Sequence, residues 1–163
     1  MAPDTPLTGA NTDLSPREIS DRLRIHDLLT VYAAAVDARD WDRLRTVFAN
    51  DAVLDYSVFG GPRGSVDEAV EWLGTTLSQV GMTQHFITNV LIHLGSDMGS
   101  DMGSDTAEVT SLVFNPLGAG EHVFLVGGSY RDRAERTADG WLLTQRTAEF
   151  TWSDRPLRPS KQA

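Results

Sequence analysis

Apolar and polar positions recur with two periods along this chain: steps of three and four residues in its first half, steps of two in its second. In the first half Ile19, Leu23, Leu29, Tyr32, Ala33 and Val36 follow the helical period and predict one broad buried face on a helix running to about Ala38. Its start is marked by Ser15-Pro16-Arg17-Glu18: an N-cap serine, a proline at the first helical position and a glutamate that can reach back to the cap. Asp40 caps a second helix, Trp41 to about Phe48, with almost no linker between the two. Residues 52–58 read as a short strand carrying Tyr56, residues 60–64 as a turn, and Ser65 to Glu68 as a second capping box that opens a third helix through about Gln79.

After Gly81 the period changes. Segments 84–94, 107–115, 121–134 and 140–152 are rich in Val, Ile, Leu, Phe, Thr and Trp and are separated by turn residues, as four antiparallel strands would be. Helices first and strands afterwards is the order of an α+β domain. A curved antiparallel sheet packed against three N-terminal helices makes a cone around an apolar pocket, and such a cone can hold a ligand. Residues 1–14 lack apolar periodicity and read as a disordered arm, 15–152 as a single domain, and 153–163 as a C-terminal tail.

Composition narrows the functions available. A hydrophobic share of 40% and a charged share of 23% exclude wholesale disorder, and 163 residues suit one domain. No apolar run approaches the roughly 18 residues of a membrane span, so no membrane partner is expected. The net charge of −9, without a basic patch, argues against nucleic acid. The absence of cysteine removes disulfides and thiolate chemistry, and Met1-Ala2-Pro3-Asp4 lacks the parts of a secretion signal, which makes the cytoplasm the expected compartment. The tandem Gly-Ser-Asp-Met repeat at 95–105 does not have the ligand spacing of a calcium loop. It reads as an expanded hairpin tip, with no metal.

Candidate chemistry lies in four polar side chains with apolar neighbours: Tyr32, Asp37, Tyr56 and His85. Asp37 closes the run Val31 to Val36, where a carboxylate is costly unless paired. His85 is the expected partner, because imidazole takes up and returns protons readily. Strand parity over 84–94 puts His85, Ile87, Asn89, Leu91 and His93 on one face, so that His85 and Asn89 line a cavity together. Tyr32 and Asp37 lie about 140° apart around their helix, so both reach one pocket only if it wraps the helix end. Asn89 and Asn115 are candidate substrate contacts, Phe86 and Trp41 pocket wall or core, and His26 structural. Arg146 alternates with Thr144 and Ala148 on the last strand and reads as half of a surface ion pair, the alternative being a contact to an anionic substrate group. The same residues also admit a plainer reading: a core histidine bonded to a backbone carbonyl, and half-buried tyrosines with wet hydroxyls.

The order Tyr32, Asp37, Tyr56, His85, followed by Gly127-Gly128-Ser129-Tyr130-Arg131-Asp132 and Gly140-Trp141, resembles the SnoaL-like branch of the nuclear transport factor 2-like superfamily over roughly residues 16–152. Within it the chain is most similar to scytalone dehydratase and the bile-acid 7α-dehydratases. The resemblance implies a cone-shaped α+β barrel, a homodimer or homotrimer, and neither metal nor organic cofactor. It implies a dehydratase-like lyase, or a related cyclase or isomerase, with His85, Asp37, Tyr32 and Tyr56 as the catalytic set and Tyr130 beside the substrate. The substrate would be a hydrophobic carbonyl compound of polyketide, steroid or terpenoid type. Asn115 stands where the bile-acid enzymes carry an acidic partner for the histidine. Two other readings stay open: a non-catalytic ligand-binding or assembly module of the same fold, and an epoxide hydrolase with an Asp-Arg-Asp set, for which no second aspartate stands convincingly beside an arginine.

Overall fold

Ser15 starts the first helix, α1 (Pro16–Ala38), as its sequence requires: its Oγ accepts the Glu18 N–H at 3.2 Å, and Glu18 Oε2 accepts the Ser15 N–H at 2.7 Å. The structure, a computed structural model, describes residues 13–95 and 105–154. Most of the expected arm and tail, and the body of the tandem repeat, lie outside the described residues.

The buried face of α1 is Asp21, Ile25, Leu29, Tyr32, Ala33, Ala35 and Val36, whereas Ile19 and Leu23, expected inside, are 47% and 62% exposed. The helical period holds, but the phase of the first turns follows Asp21. Its carboxylate accepts from Trp141 Nε1 at 3.0 Å and from the Arg136 guanidinium. Burial pushes the Asp21 carboxyl up, yet these hydrogen bonds outweigh it and hold the group below its ordinary range. The second helix, α2 (Trp41–Arg45), ends before Phe48, because the Leu143 N–H bonds to Val47 O at 3.0 Å and draws the chain into the sheet.

Then follow β1 (Phe48–Asp55), a 3-10 turn (Ser57–Phe59), β2 (Arg63–Gly64) and α3 (Val66–Leu77), the last capped by the Ser65–Glu68 box. The remaining strands are β3 (Met82–Thr83), β4 (Phe86–Leu94), β5 (Thr106–Ala119), β6 (His122–Thr137) and β7 (Gly140–Ser153). Among the described residues they make one seven-stranded sheet in the order β2-β1-β7-β6-β5-β3, with β4 also paired to β5. Every pair is antiparallel except β1 with β7, so the sheet is mixed where sequence suggested a wholly antiparallel one. The sheet curls strongly into an open half-barrel against the three helices, an α+β cone.

Register places the rows on the concave side. Val109, Asp132, Arg146 and Leu54 stand opposite one another across four strands, and Ser111, Tyr130 and Ala148 form the next row. Strand β4 breaks its own parity. Thr88 pairs with Leu112 and Leu91 with Thr110, so β4 holds one residue too many, and Asn89 takes a left-handed backbone, φ 50°, to accommodate it. Asparagine adopts that conformation more readily than most residues. Upstream of the bulge His85 and Ile87 face inward; downstream it is Ile92 and Leu94. Asn89, Leu91 and His93 therefore do not share the face of His85, and Asn89 is exposed.

Candidate functional site

Asp37 lies in the last turn of α1, where the helix dipole disfavours a carboxylate. Two contacts to one residue compensate. The backbone N–H of His85 donates to Asp37 Oδ2 at 2.8 Å, and the His85 ring nitrogen Nδ1 lies 2.6 Å from Oδ1. Holding both main chain and ring fixes the imidazole's orientation. The His85 side chain is 8% exposed and that of Asp37 23%.

The other ring nitrogen, Nε2, meets the Asn115 amide at 3.1 Å. The rest of that amide faces Thr83 Oγ1 at 2.9 Å and the carbonyls of Pro116 and Gln84 at 3.1 and 3.2 Å. Carbonyls only accept, so the amide NH2 points at them and its Oδ1 points at His85. Asn115, expected beside the substrate, thus serves His85 and the strand ends instead.

Tyr32 approaches from the flank of α1. Its ring stands edge-on to His85 at 6.3 Å, to Phe48 at 6.1 Å and to Tyr130 at 5.7 Å, and its hydroxyl lies 2.7 Å from that of Tyr56. Tyr56 sits at the head of the 3-10 turn rather than within a strand, and its ring stacks on Trp72 of α3 at 5.5 Å. Gly61 permits that stack, since a Cβ there would come within 2.8 Å of the Trp72 ring and 2.9 Å of Tyr56 Cβ. Burial, and after it the neighbouring Tyr32, holds the Tyr56 phenol well above its ordinary range; the same causes act on Tyr130. Both phenols are hydrogen-bond donors at neutral pH.

Arg146 overturns the surface reading. It is fully buried, its Nε and Nη2 donate to the two oxygens of Asp132 at 2.7 Å each, and its guanidinium covers the rings of Tyr32 at 3.9 Å and Tyr130 at 4.3 Å. Burial works against the charge, but Asp132 more than offsets it and keeps Arg146 well above its ordinary value. Only the folded register shows this. The turn after Thr137, with one bulged residue on β7, pairs position 132 with 146, and both positions share the phase of Tyr130 and Ala148. The bulge also puts Arg146 in phase with Leu143 instead of Thr144. An aspartate does stand beside an arginine, then, but Asp37 bonds to His85 instead, and the Asp-Arg-Asp set is not assembled.

The structure brings together Tyr32, Asp37, Tyr56, His85, Asn115 and Tyr130. It does not bring in Asn89, nor Phe86, which alternates with His85, lies 43% exposed and packs against Phe114 at 6.0 Å on the outer face. Trp41 is half-buried at the helical corner, where a Cβ on Gly74 would lie 3.8 Å from its indole nitrogen. His26 lies on the solvent side and lines a surface groove of about 330 Å³ with Arg22, Leu23, Val90, Leu91 and Ile92, none of which belongs to the His85 cluster. The concave side is also more polar than the apolar pocket expected, because three phenols and a buried ion pair occupy its inner end. No helix among the described residues is long and apolar enough to cross a membrane.

Comparison with known proteins bears on the family and the fold. Residues 17–147 match the SnoaL-like domain family. The uncharacterized protein Rv2910c of Mycobacterium tuberculosis is 35% identical over 136 residues, 82% of this chain and 87% of its own. Among solved structures, a Novosphingobium aromaticivorans protein provisionally named an aromatic ring hydroxylase superimposes with a TM-score of 0.71 at 30% identity, over 85% of this chain and 93% of its own. A second protein of that organism, provisionally named a scytalone dehydratase, gives 0.71 at 18% identity, over 89% and 96%.

Proposed function

The chain belongs to the SnoaL-like family, and from that premise we propose that it is a cofactor-independent lyase of dehydratase type, or a related cyclase or isomerase. It acts by histidine, aspartate and tyrosine acid–base chemistry on a hydrophobic carbonyl compound of polyketide, steroid or terpenoid type, as a cytoplasmic homodimer or homotrimer. One observation carries this reading: an imidazole anchored through ring and backbone to Asp37, with the Tyr32 ring edge-on beside it and the Tyr56 hydroxyl bonded to that of Tyr32.

A substrate with a carbonyl and a β-placed hydroxyl enters the concave side. The phenols of Tyr32 and Tyr56 donate to the carbonyl oxygen, where negative charge develops as the α-proton becomes acidic. His85 handles the two protons of the elimination, the α-proton and the one that the departing hydroxyl needs. Asp37 orients the ring and supports its protonated form. Acid–base help of this kind is worth about a hundred- to ten-thousandfold in rate.

The test uses a panel of β-hydroxy ketones, with formation of the conjugated enone followed by ultraviolet absorbance and binding followed by calorimetry. His85→Ala and Asp37→Asn should lose turnover while Kd changes little. Full turnover in His85→Ala would sink the mechanism. Binding without turnover in the wild type, across the whole panel, would favour the ligand-carrier reading instead.

A further inference from the structure

Two acceptors flank the imidazole of His85. Asp37 Oδ1 lies 2.6 Å from Nδ1, and Asn115 Oδ1 lies 3.1 Å from Nε2. An amide oxygen carries lone pairs and no hydrogen, so a hydrogen bond across the second gap needs a proton on Nε2. Turning the amide over would let its oxygen accept from Thr83 Oγ1 at 2.9 Å but would press it against the Pro116 and Gln84 carbonyls at 3.1 and 3.2 Å, neither of which can donate. On the other side a second proton must lie between Nδ1 and the Asp37 carboxylate, because two bare acceptors would repel at 2.6 Å. A histidine poised as a general base would need a bare Nε2. This one has none.

We propose that the resting site holds one proton more than a general-base histidine would: His85 is an imidazolium clamped between Asp37 and Asn115, and its first act is to donate. The substrate it serves has a hydroxyl leaving group, which departs only when protonated, and not a halide, which departs unaided. The substrate clause rests on the dehydratase reading above and narrows it. The β-hydroxyl takes the place of Asn115 Oδ1 at Nε2, the Nε2 proton passes to its oxygen, the C–O bond breaks with its electron pair on oxygen, and water leaves. The α C–H electron pair becomes the new C=C bond, and the α-proton goes to the vacated Nε2, which restores the imidazolium. Asn115 is a positioning residue in this cycle, acting through the ring. Beside the ring stand Asp37 and, edge-on at 6.3 Å, Tyr32.

The decisive measurement is nitrogen NMR of the full chain labelled with 15N-histidine, with His85 assigned by loss of its signals in His85→Ala. In the wild type at pH 7 both ring nitrogens should show the protonated, imidazolium pattern. Asn115→Leu removes the acceptor and should turn Nε2 into a bare, pyridine-type nitrogen. Asn115→Asp keeps an acceptor in place and should restore the pattern. A pyridine-type Nε2 in the wild type overturns the clamp whatever the variants do, even if Asn115→Leu fails to fold; it leaves the lyase reading standing if turnover persists. An imidazolium that survives Asn115→Leu overturns the role of Asn115. For the substrate clause, the enzyme should accelerate loss of water from a β-hydroxy ketone by at least about a hundredfold and leave the β-chloro analogue at its solution rate. Equal acceleration of both overturns that clause, and an imidazolium without turnover of any substrate overturns the lyase reading while leaving the clamp.

Discussion

Two hydrogen-bonded acid–base pairs share the concave side of the sheet, and they differ in what they can do. Arg146 and Asp132 have no exposed side-chain surface, meet through two parallel hydrogen bonds, and lie directly opposite each other in the sheet. His85 and Asp37 meet near the helix end, partly open to solvent, at 8% and 23% exposure. A guanidinium does not give up its proton in a protein, so the first pair is a fixed charge and a structural one. An imidazole exchanges protons, so the second pair can do chemistry. Depth of burial is thus a poor guide to chemical capacity here: the fully buried guanidinium is locked to its partner, and the partly open imidazole is the group able to exchange a proton.

The most damaging way to break the contrast is Asp132→Asn, which leaves the Arg146 charge buried without a counter-ion. Urea unfolding should show a loss of about 3–5 kcal/mol, whereas replacing both partners together, Asp132→Leu with Arg146→Met, should recover most of it. Asp37→Asn breaks the other pair. It should cost about 1 kcal/mol or less in stability and yet reduce turnover about a hundredfold or more, because a partly exposed pair holds little of the fold together. Gly61→Ala leaves both pairs whole and pushes Tyr56 off Trp72. About 1–3 kcal/mol of overpacking strain should appear in thermal melts, with slower turnover and both pairs intact.

The smallest effect is a pH response that is silent near neutrality. Tyr56 and Tyr130 are held above their ordinary values, so the folded chain keeps protons that the unfolded chain releases above about pH 10. Stability is unaffected below that point and falls as pH rises past it, with a slope of up to about 1.4 kcal/mol per pH unit for each phenol. Tyr56→Phe should flatten this alkaline limb without moving the acid one.

Much of the architecture was legible from local signals. Both capping boxes, the extent of α1 and the four long strands are written in short stretches of sequence, since a cap needs only four residues and a period only a few turns. The partnership of Asp37 with His85 was legible for another reason: a carboxylate among apolar neighbours demands a partner. Arg146 was misread because its burial depends on an aspartate on the neighbouring strand, and Asn89 because a single extra residue in β4 reverses the faces of everything after it.

Local chemistry along the chain settled where helices start, which segments become strands, and which side chains need a partner, because those requirements act over a few neighbouring residues. The folded arrangement decided the rest: the parallel pairing of β1 with β7, the parity after Asn89, the burial of Arg146, and the amide of Asn115 turned toward His85. Each of these depends on register between segments distant in the chain. Register is chosen by the whole sheet closing on its core, and no short stretch of sequence contains it.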